Sequence, residues 1–180
     1  MGYWRDTHLK IVGSAAYELQ HRFLLDWRAS SNEELLIDDT KLNHYFPTIP
    51  QKSGAGIQIV SSGPDNINQQ IKQGFLRMIN TAEDYILIQS PYFVPDESIL
   101  EALKIALLSG IDVRIMIPNK PDHIFIYWVT LAYVGELIEY GAKIFIYENG
   151  FLHARHKAEL QVFGDFTDLA QDGQIECRSE

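Results

Sequence analysis

The residues best suited to chemistry lie in one short run, Glu148-Asn149-Gly150-Phe151-Leu152-His153-Ala154-Arg155. A histidine next but one to a fixed cation can attack a phosphate as a nucleophile or give up a proton as an acid. The guanidinium would stabilise the oxygens on which charge develops. On spacing alone the blander reading, a hydrogen-bonded structural histidine, is favoured for His153, as it is for His8, His21, His44, His123 and His156. The sequence holds no His-Glu-x-x-His, no Gly-x-Ser-x-Gly, no phosphate-cradling Gly-x-x-x-x-Gly-Lys-Ser and no calcium loop, so most common enzyme classes lose their sequence support. Its single cysteine, Cys177, excludes an intramolecular disulfide and a cysteine-built metal site. No metal and no cofactor is expected.

The elements that must position such a site alternate between short β-branched runs and longer segments with apolar residues at helical spacing, the pattern of βα units. Thr7 to Val12 reads as a strand, followed by a helix from Ser14 to about Trp27 whose Leu19, Phe23 and Leu24 should pack on a sheet. Residues 31–56 dissolve into Ser, Asn, Asp, Pro and Gly and read as a linker between two lobes. Beyond it come a strand at Ile57–Val60, a helix from Ser62 to about Asn80 and a strand at Tyr85–Gln89. The turn Ser90-Pro91-Tyr92-Phe93-Val94-Pro95 follows, and its prolines bar it from a central ladder. Asp96 can cap the next helix and Gly110 can end it, before a strand at Asp112–Ile117. The run Ile124–Val134, broken only by Thr130, is too short to span a bilayer; as a helix it could approach the membrane, but its apolar surface is better explained by burial against the sheet. Gly141 ends it ahead of a last strand, Lys143–Tyr147. An α/β layered sheet flanked by helices is the natural architecture.

Composition narrows the class. With 46% hydrophobic and 22% charged residues, the 180-residue chain can bury a core, so wholesale disorder is excluded. A net charge of −9 argues against a general nucleic-acid binder. Residues 1–155 carry −5 and residues 156–180 carry −4, and the latter stretch, with little periodicity beyond Gln161 to Phe163, is expected to be a poorly ordered tail. Arg5, Asp6 and Lys10 interrupt the start of the chain, so no signal peptide is expected there.

Five blocks in a fixed order change the reading of His153. They are Tyr3-Trp4-Arg5-Asp6-Thr7-His8-Leu9 with Gly13 and Phe23 to Trp27, Ser90 to Glu97, Pro118-Asn119-Lys120, Asp122-His123, and Gly150-Phe151-Leu152-His153-Ala154. In these blocks, from about Gly2 to Arg155, the chain resembles the bacterial cardiolipin synthases of the phospholipase D superfamily. The resemblance implies a phospholipase D-like fold, with residues 1–30 as the end of a first lobe and 57–155 as most of a second. It implies an active site in which two His-x-Lys-x-x-x-x-Asp motifs face each other without a metal. One histidine forms a phosphohistidine and the other protonates the leaving alcohol, so that phosphatidyl passes from one phosphatidylglycerol to another and glycerol leaves.

Carried over residue by residue, His153 and Arg155 take the catalytic positions, Arg155 standing where the family has lysine. Leu160 stands where it has aspartate, and the Gly-Ser-x-Asn segment beyond is missing. An arginine keeps the charge but not the geometry of an ammonium. Tyr92 and Phe93 could line a lipid-headgroup pocket or pack as aromatics of a turn. Asp6 and His8 could support the reacting histidines from behind, though alternation on a strand places both on one face for structural reasons alone.

The likeness is dense to Ala154 and absent afterwards, which suggests a frameshifted tail rather than gradual decay. A continuation of the family motif in another frame of the flanking DNA would bear this out. The resulting expectation is a truncated piece of a membrane-associated cardiolipin synthase, catalytically silent alone, with phosphatidylglycerol and the lipid surface as partners and no nucleic acid. The alternatives are a noncatalytic module that pairs with an intact homologue or with lipid, and another phospholipase D-like phosphodiesterase.

Overall fold

A computed structural model describes residues 3–5, 7–31, 39–50, 56–63, 67–119, 123–148, 150–152, 161–163 and 176–179. The chain divides into two compact units, one built on Ser61–Asp168 with Met1–His8, the other on Leu9–Val60.

The larger unit is the α/β layered domain expected. Its strands run β1 (Tyr3–Arg5), β3 (Tyr85–Gln89), β4 (Asp112–Pro118), β5 (Lys143–Tyr147), β6 (Gly150–Leu152) and β7 (Gln161–Phe163). Strands β2 (Thr7–Lys10) and β8 (Glu176–Ser179), which belong wholly to neither unit, complete the described strands of the chain. The main sheet has the order β5-β4-β3-β7. The pairs β3–β4 and β4–β5 are parallel, with Ile86 opposite Val113 and Ile115 opposite Ile144, while β7 runs antiparallel to β3. Parallel neighbours need a crossover. Helices α4 (Glu97–Leu108) and α5 (Ile124–Glu139) supply two of them, and α3 (Gln70–Asn80) precedes β3.

Alternation explains the core. Ile86 and Ile88 of β3 and Val113, Ile115 and Ile117 of β4 are buried at every second position, and Leu100, Leu103 and Ala106 of α4 and Leu137 of α5 join them. Burial of this kind stabilises the domain by roughly 1.5–3 kcal/mol for each large side chain. The helix stops are built as the glycines suggest. Gly110 (φ +88°) and Gly141 (φ +99°) adopt the left-handed conformation, and just beyond them Ile111 N–H donates to the Ala106 carbonyl and Ala142 N–H to the Leu137 carbonyl.

Several expectations are corrected. Ile57–Val60 joins no ladder, and Ile57 and Val60 are exposed. Helix α3 starts at Gln70 rather than near Ser62, because helical apolar spacing begins only at Ile71, and Ile67 is fully exposed. Helix α5 is not a buried helix throughout: Ile124, Phe125, Trp128 and Val129 face outward. Within the span expected to be tail, β7 and β8 are strands, and the remainder of 156–180 lies outside the described residues.

In the smaller unit, helix α1 (Ala15–Ser31) is longer than expected, and of its apolar stripe only Leu24 is buried while Leu19 and Phe23 stay exposed. No sheet within this unit, among the described residues, covers that stripe. A second helix, α2 (Asp39–Tyr45), lies inside the stretch read as linker. The segment after it is tied to α1 where the Tyr17 hydroxyl donates to the Pro47 carbonyl and the Tyr17 ring meets Phe46 edge-on at 5.8 Å.

Candidate active-site cleft

The three parallel strands end at one edge of the sheet, β3 at Gln89, β4 at Pro118 and β5 at Tyr147. Ligands bind outside the carboxyl ends of such strands. The ladder extends one rung further, with Ser90 N–H donating to the Met116 carbonyl at 3.1 Å and Asn119 N–H to the Tyr147 carbonyl at 3.0 Å. The chain then turns sharply. The buried Ser90 hydroxyl accepts from Tyr92 N–H at 3.2 Å, and Val94 N–H reaches the Tyr92 carbonyl at 3.1 Å. Pro91 and Pro95 cannot donate, so this turn is closed by its own short bonds rather than by a ladder.

The turn forms one wall of a cleft of about 410 Å³, whose lining includes Tyr92, Phe93, Val94 and Asp96 together with Lys72 and Phe75 of α3. Both aromatic candidates therefore line the cleft, but in different ways. Phe93, only 1% exposed, belongs equally to the hydrophobic core. Tyr92 is half-buried, and its ring lies 6.3 Å from that of His123, the residue that precedes α5, at a 43° tilt.

At the rim stands a carboxylate with three partners. Asp96 Oδ1 accepts from Ile99 N–H at 3.0 Å and from the Ser98 hydroxyl at 2.6 Å, and Oδ2 lies 2.6 Å from Lys72 Nζ. The first bond caps α4. The Lys72 ammonium, with help from Ser98 and the Ile99 amide and against some desolvation, holds the Asp96 pKa down to about 2. A lysine and a carboxylate thus meet at the mouth of a largely apolar cleft, an arrangement able to seat a polar headgroup beside hydrocarbon.

A second strand pair converges on the same part of the chain. Strands β1 and β6 run parallel, with Trp4 opposite Phe151 and Arg5 opposite Leu152, and β6 also contacts β4 and β5. In sequence Asp6 follows Arg5 and His153 follows Leu152, so the pair stops one residue short of both candidates. Asp6, His153, Arg155 and Leu160 themselves lie outside the described residues, and His8 stands in β2. Among the described residues no cluster of His, Cys, Asp or Glu is arranged to hold a metal ion.

Sequence reasoning assigned no role to Lys72 or His123. Nothing local marks Lys72, which meets Asp96 from a position 24 residues away. His123 was visible within one of the five blocks, but its ring contact with Tyr92, which connects it to the cleft, was not.

Residues 75–158 match the family model described as cardiolipin synthase, PLD-like domain. Over 154 residues, 86% of this chain, the sequence is 56% identical to a cardiolipin synthase of Oceanobacillus iheyensis and 58% identical to one of Listeria monocytogenes. It is 54% identical over the same length to the major cardiolipin synthase of Bacillus subtilis. In each comparison 31% of the relative is covered, so the chain spans about a third of the length of the curated relatives it matches.

Proposed function

Since this chain belongs, through residues 75–158, to the cardiolipin synthase family with its PLD-like domain, we propose that it is part of a phosphatidyltransferase whose reacting centre includes His153. In the proposed reaction the His153 imidazole attacks the phosphorus of one phosphatidylglycerol. The bond from phosphorus to the glycerol oxygen breaks, and a second, protonated histidine gives the departing glycerol its proton. The hydroxyl of another phosphatidylglycerol then attacks the phosphohistidine, its proton passes back to the second histidine, and cardiolipin forms. Arg155 would neutralise the phosphodiester oxygens.

The observation that carries this reading is the parallel pairing of β1 with β6 beside the carboxyl ends of β4 and β5. It draws together two blocks nearly 150 residues apart in the sequence, each leading directly into a candidate residue. The Tyr92 cleft at the same sheet edge would hold the headgroup, with Tyr92 and Phe93 against the glycerol and Lys72 near the phosphate.

The chain contains no complete His-x-Lys-x-x-x-x-Asp motif, having Arg155 and Leu160 where lysine and aspartate belong. It supplies one reacting histidine without the matched partner, and we expect it to be catalytically silent alone, since removing one member of a cooperating pair abolishes most of the rate. Substrate binding is separable from turnover. Titration of the ¹⁵N-labelled chain with short-chain phosphatidylglycerol should shift the amides of Ser90 to Asp96 and of His123, and Tyr92→Ala should weaken that response. Equal shifts with short-chain phosphatidylcholine, or none in this segment, would remove the cleft from the proposal.

A further inference from the structure

Helix α5 is apolar on two opposite sides. On a helical wheel Thr130, Val134 and Leu137 occupy one narrow arc, and all three are buried against the domain. Ile124, Trp128, Phe125 and Val129 span an arc of about 140° on the opposite side. These four are 62%, 64%, 84% and 43% exposed, respectively. A surface helix normally turns polar residues outward. Here the outward face carries carboxylates only in its last turns, where Glu136 reaches Lys104 at 2.7 Å and Glu139 is exposed.

We propose that the outward face of the first three turns of α5, centred on Phe125 and Trp128, docks on the surface of a phospholipid bilayer. The proposal rests on the phospholipid-substrate reading and says how the cleft reaches its substrate. Three observations select a lipid surface as the occupant. The exposed residues are a tryptophan, a phenylalanine and two β-branched aliphatics, the types that seat at the boundary between headgroups and acyl chains. The acidic residues are confined to the far end, so an anionic surface meets only the uncharged end of the helix. That same end begins at His123, whose ring lies 6.3 Å from that of Tyr92 in the cleft wall, so docking by this face brings that wall of the cleft near the bilayer. With 16 residues, α5 is shorter than the ~20 needed to span the hydrocarbon core, and it would lie in the interface.

The test uses the whole chain with Trp4→Phe and Trp27→Phe, leaving Trp128 as the sole indole. Mixed phosphatidylcholine–phosphatidylglycerol vesicles should shift its emission to the blue and co-sediment with the protein. Phe125→Asp should weaken partitioning by at least about tenfold, while Leu108→Asp, an exposed site on α4, should leave it unchanged. Phe125→Gln serves if the aspartate variant loses its far-UV circular dichroism. Undiminished partitioning of the position-125 variants overturns the proposal. So does a blue shift that tracks protein concentration without vesicles, which would make a second copy of the chain the occupant. The docking experiment reads the Trp128 emission and co-sedimentation, whereas the cleft titration reads the amides of Ser90 to Asp96, so a failure of one is told apart from a failure of the other.

Discussion

Replacing Asp96 separates the cap of α4 from the ion pair at the cleft mouth. A fall from the ordinary 3.8 to about 2 corresponds to about 2.4 kcal/mol at 1.36 kcal/mol per pH unit. The Asp96 side chain is 47% exposed, and screening at such a position reduces the realised stabilisation to about 1 kcal/mol. The cap itself adds about 1 kcal/mol. Asp96→Ala, which loses both, should therefore cost about 2 kcal/mol at pH 7, and Asp96→Asn, which keeps a capping oxygen but no charge, about 1 kcal/mol.

Because the folded-state pKa is depressed, the charge contribution is fully present above 3.8 and is lost as pH falls toward about 2. Urea denaturation followed by far-UV circular dichroism at neutral pH and near pH 2 measures both terms. The wild type and Asp96→Asn should converge at the acidic end, while Asp96→Ala remains weaker. If the asparagine variant keeps its full deficit near pH 2, or if alanine costs no more than asparagine at pH 7, the division into cap and charge is refuted.

Other outcomes follow from the same packing. Leu103→Ala, at a side chain with no exposure, should cost about 2–5 kcal/mol by denaturant titration. Gly141→Ala forces a β-carbon onto a backbone at φ +99° and should cost about 1 kcal/mol or more despite open space around the site. Phe93→Ala should destabilise by about 3–5 kcal/mol because the ring is core as well as cleft wall. Tyr92→Ala, at a half-buried ring, should cost far less, and its effect should fall mainly on phosphatidylglycerol binding.

The central sheet was legible because its signals are local. Ile86 and Ile88, and Val113, Ile115 and Ile117, alternate with less buried neighbours, Asp96 stands where a cap belongs, and Gly110 and Gly141 stop their helices. Helix α2 was not legible, since Leu42 is the only aliphatic among its seven residues and no apolar period marks it. The outward face of α5 was hidden for the opposite reason: in a run apolar on every side, periodicity cannot tell the buried arc from the exposed one. Of the site, the Tyr92–Phe93 turn could be placed at a strand end from its prolines and neighbours. The Lys72–Asp96 pair, the His123–Tyr92 contact and the β1–β6 pairing are tertiary and leave no spacing in the sequence to read.

The most direct test of the account is cardiolipin formation by the purified chain from labelled phosphatidylglycerol in mixed micelles, beside His153→Ala. The account predicts the same background for both proteins, since Arg155 and Leu160 leave His153 without a complete motif. Cardiolipin above the His153→Ala level would show that this chain catalyses the transfer unaided, contradicting that prediction.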